Sequence, residues 1–187
     1  NEISQDAIAA FEQIEAWGIC IDQTVLAQFS QYIELEIDKV AKLLVPYGYN
    51  HKEPEKSTFN PSSNKQVAEL VYTKLGLPVK KKTEKGTPAV DKEALKELSD
   101  KHPVCAALSE WVHVNKMKST YIDSIVYNIK EDSRIHPDID ITGARTGRTS
   151  VHRPAMQTIP RPETVIGKYA RDLFTVASGY TLVESDY

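Results

Sequence analysis

Apolar residues recur at helical spacing up to about residue 132 and at strand spacing only afterwards, and this change of period divides the chain. Ile8, Phe11 and Ile14 predict a helix over residues 7–17 that Gly18 stops. Ile19-Cys20-Ile21 reads as a short extended link. Asp22 can cap a long amphipathic helix in which Val25, Leu26, Phe29, Ile33, Ile37, Val40 and Leu44 fall three and four apart. Glu34, Glu36 and Asp38 mark its solvated face, and Pro46 and Gly48 end it. Residues 49–61 predict loop. Ser63 to Gln66 has the form of a capping box ahead of Val67, Leu70, Val71 and Leu75, with Gly76 as terminator. A lysine-rich loop, residues 77–88, leads to a short helix capped by Asp91. Pro103 opens a long helix through Leu108, Trp111, Val114, Met117, Tyr121, Ile125 and Ile129.

Residues 134–141, Arg-Ile-His-Pro-Asp-Ile-Asp-Ile, alternate as a half-buried strand does. A polar glycine-containing turn follows at residues 142–147, and residues 149–163, with three prolines, read as an ordered loop or a loose strand. Residues 165–173 predict a short helix, and residues 180–184 a strand that delivers Asp186 to its end. The fold class is therefore α+β, mainly α, with a helical part over residues 1–133 and a β-containing part over residues 134–187.

The 187 residues suffice for one domain or two small ones, and 41% hydrophobic with 26% charged content excludes global disorder. No apolar run is long enough to span a bilayer and no signal-peptide pattern is present, so a membrane partner is not expected and a cytoplasmic location is. The distant Cys20 and Cys105 read as reduced core residues. Asn1 in place of methionine points to a piece of a longer protein.

A net charge of −3 conceals segregation. Residues 1–59 carry four lysines against ten acids, whereas all six arginines lie within residues 134–171. Arginine presents a planar fork of donors suited to phosphates and base edges, so the block points to an anionic partner. A solvated, salt-bridged surface is the plainer alternative. Lys80 to Lys85, and Lys116 to Thr120 with Lys116 and Thr120 on one helix face, are two further candidate phosphate contacts. Arg148, just past the Gly147 turn, and Gln157 in the proline-bounded loop can donate to minor-groove acceptors common to all base pairs. Asp186 is a candidate magnesium ligand, since magnesium takes few carboxylates and completes its shell with waters and phosphates; a turn-capping aspartate is the alternative.

Taken in order, these pieces resemble the family A DNA polymerases, the group containing bacterial DNA polymerase I and many phage replicative enzymes. The resemblance covers nearly the whole chain. Residues 59–66 (Phe-Asn-Pro-Ser-Ser-Asn-Lys-Gln), 75–78 (Leu-Gly-Leu-Pro), Lys82-Thr83, His102-Pro103 and 116–123 (Lys-Met-Lys-Ser-Thr-Tyr-Ile-Asp) look like the family's thumb signature. Arg134-Ile135-His136, Thr146-Gly147-Arg148, residues 157–160 (Gln-Thr-Ile-Pro) and 170–174 (Ala-Arg-Asp-Leu-Phe) follow in the family's order. Asp186-Tyr187 looks like the opening of its first catalytic carboxylate motif.

The resemblance implies a helical entry segment and thumb over residues 1–133 and the first antiparallel strands of a palm over residues 134–187. It implies that Asp186 is the catalytic carboxylate bridging two Mg2+ ions and that the Tyr187 carbonyl helps hold one of them. Arg148 then contacts the minor groove near the primer end, and Gln157 belongs to a duplex-contacting loop. Lys116, Lys118, Ser119, Thr120 and Lys82 then lie near the DNA backbone. The partners implied are primer-template DNA and, in the complete enzyme, deoxynucleoside triphosphates. The piece is expected to be inactive alone, lacking the rest of the Asp186 motif and the second metal-binding carboxylate. Its 180–186 strand edge is expected to be exposed and to favour self-association. The chain departs from the family at Thr158, where asparagine is usual, at Ala155-Met156 in place of Asn-Leu, and at Val112 in place of arginine. These departures point to a divergent, phage or prophage, member. A non-enzymatic nucleic-acid-binding module and a plain helical interaction domain are the alternative functions.

Overall fold

Helix starts and stops follow the local chemistry. In the computed structural model, which describes residues 5–143 and 146–183, α1 (Gln5–Trp17) ends where the Gly18 amide donates to the Ile14 carbonyl at 3.0 Å. Gly18 has φ +67°, and a Cβ there would stand 2.6 Å from the Ile135 carbonyl oxygen, so only glycine fits. The Asp22 carboxylate accepts the amides of Thr24 (2.8 Å) and Val25 (3.0 Å), opening α2 (Gln23–Leu44). A 3-10 turn, Val45–Tyr47, and Gly48 at φ +92° close it.

The chain forms two compact units, Tyr32–Lys116 and a second built from Asn1–Gln31 with Met117–Tyr187. The Tyr32–Lys116 unit holds most of α2, α3 (Asn64–Ala68) with a π-helical continuation over Glu69–Lys74, α4 (Lys92–Lys96), and α5 (Pro103–Met117) up to Lys116. Ile33, Leu44, Val71, Leu95, Leu98 and Leu108 are buried there. Trp111 on α5 stands edge-on to Tyr49 at 4.9 Å and donates its indole N–H to the Ser62 hydroxyl at 3.2 Å. The capping box is half made. Ser63 Oγ accepts the Gln66 amide at 3.5 Å, but the Gln66 side chain accepts the Asn60 amide at 2.7 Å instead of reaching back to Ser63.

Asp91 caps α4 by accepting the Ala94 amide at 2.9 Å, and Lys81 bridges Asp91 (3.0 Å) and Glu93 (2.9 Å). The Ala94 amide first, then Lys81, holds the Asp91 carboxyl below its ordinary range. A carboxylate depressed in the folded state contributes stability that is complete above its unfolded value and is lost as pH falls through its folded value. Asp91→Ala is expected to cost about 1 kcal/mol at neutral pH. Urea denaturation should show the difference from the parent chain shrinking in acid; a constant difference would refute the assignment.

In the other unit β1 (Ile19–Ile21) is the middle strand of the antiparallel order β2-β1-β5, pairing β2 (Arg134–Ile135) and β5 (Phe174–Thr175). Cys20 faces Arg134 on one side and Thr175 on the other. β3 (Asp138–Asp140) and β4 (Ser150–His152) form a separate antiparallel pair. α5 passes through a π-helical segment, Lys118–Asp123, into α6 (Ser124–Asn128). The Thr164 hydroxyl caps α7 (Val165–Asp172) by accepting the Gly167 amide at 3.0 Å, and Tyr169 on α7 stacks on buried Phe29 at 5.5 Å.

Arg134 in β2 and His136, just beyond its end, serve α1. The Arg134 guanidinium donates to the Trp17 carbonyl at 2.9 Å and lies 4.8 Å over its ring, while His136 Nδ1 donates to the Glu15 carbonyl at 2.8 Å. Carbonyls at a helix C-terminus lack partners within the helix, and these side chains supply them.

Three expectations are corrected. Residues 134–141 are not one strand: Pro137 lacks an amide to continue the ladder, and β2 and β3 enter different sheets. Residues 180–183 are not strand. Phe174–Thr175 pairs with β1 instead, and beyond the Gly179 turn (φ +86°) Tyr180 sets its ring edge-on to Trp17 at 5.8 Å. No strand edge is therefore formed by the described part of that segment. Cys20 is half-buried where a core position was expected; Cys105 is buried, and both are free. The apolar face of α1 is not covered by the described residues, and Ile8 and Ile14 stay exposed. Asp186 and Tyr187 lie outside the described residues. No described helix is long and apolar enough to cross a membrane.

Candidate nucleic-acid interface

The predicted contacts fall in both units, and each set is built within its own unit. In Tyr32–Lys116, residues 81–89 fold back on themselves. The Ala89 amide donates to the Lys81 carbonyl at 2.9 Å, Thr83 and Thr87 pair through backbone (2.8 Å) and hydroxyls (2.8 Å), and Lys82 bridges Pro88. Lys81 is held by Asp91 and Glu93, and Lys80 donates to the Glu97 carbonyl at 3.3 Å. Lys82 and Lys85 at the tip are exposed, and their ammonium groups make no ion pair among the described residues. Lys116, exposed near the end of α5, adds to the positive field on this unit. Burial first, then Lys92, pushes His113 below the ordinary histidine range; Glu110 opposes them, and Lys116 adds a lesser push in the same direction as Lys92. Val112, where an arginine was the family expectation, lines a groove of about 640 Å3 with Asn64, Lys65, Thr83 and Thr87.

In the other unit the π-helical segment carries Lys118, Ser119 and Thr120 on its outer side, while Tyr121 and Ile122 are buried. Lys118 pairs with Asp123 at 2.9 Å, so a phosphate would have to compete with that carboxylate. The extra residue in a π-helical turn shifts the side chains that follow it, and such turns recur at functional sites. Gly147 at φ +76°, with nothing within 4 Å of an added Cβ, makes the left-handed turn before Arg148. Arg148 is exposed and makes no hydrogen bond or ion pair among the described residues.

Gln157 is placed otherwise than a simple outward-reaching contact. Its Nε2 donates to the Thr149 carbonyl at 2.6 Å and its Oε1 accepts the Val151 amide at 3.3 Å, clipping the loop to β4. The residue is exposed, and a primary amide has two N–H groups, so one remains to donate outward. Two further residues hold the same loop. The buried Tyr121 hydroxyl donates to the Thr158 carbonyl, and Arg171 Nε donates to the Pro160 carbonyl at 3.0 Å. Sequence reasoning placed Tyr121 on the apolar side of the long helix and Arg171 in the arginine block, and gave neither this hold on the loop. The available signal was the four-residue spacing of Met117, Tyr121 and Ile125, which puts a phenol on the buried side of an otherwise polar motif.

The arginine block thus resolves into two kinds. Arg134, Arg153 (paired with Asp138) and Arg171 serve the fold. Arg148 and Arg161 are exposed without a partner among the described residues, and Arg145 lies outside them. No group of three or more His, Cys, Asp or Glu among the described residues could hold a metal ion.

The sequence model of DNA polymerase family A matches residues 24–187. DNA polymerase I of Caldicellulosiruptor bescii is 31% identical over 188 residues, covering 100% of this chain and 21% of the relative. Thermostable DNA polymerase I of Thermus aquaticus is 30% identical over 190 residues, covering 100% of this chain and 22% of the relative. The POL domain of Pol1 from M. smegmatis, in complex with DNA primer-template and dNTP, superposes with a TM-score of 0.78 at 30% identity. That match covers 91% of this chain and 29% of that one. The chain thus spans about a fifth of the length of these curated relatives. Its α+β fold, its ordered motifs and the family match over residues 24–187 agree, and the chain belongs to DNA polymerase family A.

Proposed function

We propose that the protein to which this chain belongs extends a DNA primer by template-directed nucleotide addition, and that this chain supplies part of the grip on the primer-template duplex. The observation that carries the reading is the pairing of an open arginine, Arg148, with the clipped Gln157 loop in one unit whose solved relative holds primer-template and dNTP. Residues 1–133 then correspond to an entry segment and thumb, and residues 134–187 to the start of a palm. Lys116, Lys118, Ser119, Thr120 and Lys82 provide charge and hydroxyls toward the sugar-phosphate backbone.

Asp186 and the Tyr187 carbonyl are the proposed holders of divalent metal, Mg2+, which when bound would neutralise developing charge on the transferred phosphoryl group. Support for that assignment is the resemblance of Asp186-Tyr187 to the family motif. A cytoplasmic location and a phage or prophage source are part of the proposal, the second supported by Val112, Ala155-Met156 and Thr158. Self-association through residues 180–183 has only their exposed side chains in its favour.

The test is primer extension by the full-length protein. Arg148→Ala is expected to lower extension about ten-fold or more, and Asp186→Asn to abolish it. The 187-residue chain alone is expected to bind duplex without extending it. Extension by the pure chain, or full activity of Asp186→Asn, would overturn the reading.

A further inference from the structure

The Gln157 loop is held at four backbone groups by three side chains from different parts of its unit. Gln157 itself spans Thr149 and Val151 on either side of Ser150. Arg171 on α7 takes the Pro160 carbonyl. Tyr121 takes the Thr158 carbonyl, next in sequence to Gln157, and Thr158 Oγ1 lies 3.4 Å from the same phenol. Tyr121 is only 4% exposed, so its ring is fixed by packing and its hydroxyl has one productive direction. It also belongs to the π-helical segment that presents Lys118, Ser119 and Thr120 outward. One short stretch of helix therefore carries candidate backbone contacts on its outer side and, from its inner side, sets the position of the loop bearing the candidate minor-groove contact.

We propose that Tyr121 is a positioning residue: its buried hydroxyl anchors the Thr158 carbonyl so that Gln157 and the Lys118–Thr120 turn meet the primer duplex as one rigid surface. This rests on the duplex-gripping reading above. It goes beyond that reading by assigning a role to a side chain that touches no DNA. It accounts for a tyrosine at this place, where phenylalanine would fill the same core volume, and it explains how a loop rich in proline, with few ladder bonds of its own, holds a defined shape. Removing the phenol donor frees that carbonyl and with it the loop's tie to the helix.

The test is a double-mutant cycle in the 187-residue chain, read as binding to a labelled primer-template at low salt. Tyr121→Phe keeps the ring and removes only the anchor. Tyr121→Phe and Gln157→Ala are each expected to weaken binding about five-fold, with the double variant no weaker than either alone. Tyr121→Phe combined with Lys82→Ala should instead show the product of the single effects. Multiplying effects for Tyr121→Phe with Gln157→Ala would show a merely structural tyrosine and overturn the proposal. Hydrogen exchange provides a readout independent of DNA. Tyr121→Phe should raise exchange at the Val151 amide, which donates to Gln157, and leave the Leu95 amide on α4 unchanged. If the parent chain fails to bind duplex while Val151 exchange rises, the grip on DNA is wrong and the anchor stands. If Val151 exchange does not change, the anchor is wrong whatever the binding shows.

Discussion

Raising salt from about 50 mM to about 200 mM is expected to weaken binding of the chain to primer-template duplex by about 150-fold. The slope is set by the number of cations that neutralise phosphates, not by the total number of contacts. Arg134, Arg153, Arg171, Lys81 and Lys118 are committed to partners within the fold and release few counterions on binding. Arg148, Arg161, Lys82 and Lys85 are exposed without a partner among the described residues. If each of these neutralises one phosphate, the slope of log K against log salt is about −3.6, which predicts about 150-fold over a four-fold change in salt. Fluorescence anisotropy across a salt series reads the slope. A slope near zero would leave the cations as surface charge and return the helical interaction domain to consideration. Steep salt dependence with no preference for duplex over single strand would favour a non-enzymatic binding module.

Trp111→Ala is expected to destabilise the Tyr32–Lys116 unit by about 3–5 kcal/mol. The side chain is 5% exposed and fills space beside Tyr49 and His51, with ring centroids at 4.9 Å and 6.2 Å. Its truncation leaves a cavity bounded by α5 and the loop before α3, and it also strips Ser62 Oγ of the indole donor. Trp111→Phe retains most of the packing and should cost only about 1–2 kcal/mol, the lost hydrogen bond plus a smaller void. Urea denaturation followed by far-UV circular dichroism separates the two. Equal losses would place the energy in the hydrogen bond; a loss below about 1 kcal/mol for alanine would show that the site collapses.

Local chemistry was legible because it is local. Asp22, Asp91 and Gly18 act within four residues of themselves, and each does what its position predicts. The three-residue stretch Ile19–Ile21 carries no periodicity from which to read a partner, so nothing showed that it is the centre of a sheet with strands more than a hundred residues away. The alternation of residues 134–141 was real, but it concealed Pro137, which splits one pattern between two sheets. Gln157 was legible as a candidate contact, not as a clip, because amide side chains have twice the bonding capacity that one role uses. Tyr121 was legible as core. Its bond to Thr158 spans 37 positions, and no motif spacing encodes it.

The placement of β1 between β2 and β5 has a consequence for biosynthesis. Tyr32–Lys116 is continuous along the chain and can acquire its structure as soon as it leaves the ribosome. The β2-β1-β5 sheet cannot close until residue 175 has been translated, so Ile19–Ile21 emerges more than a hundred residues ahead of its first partner strand. During that interval its apolar side chains are a natural target for chaperones, and slowing translation downstream of Lys116 lengthens the exposure.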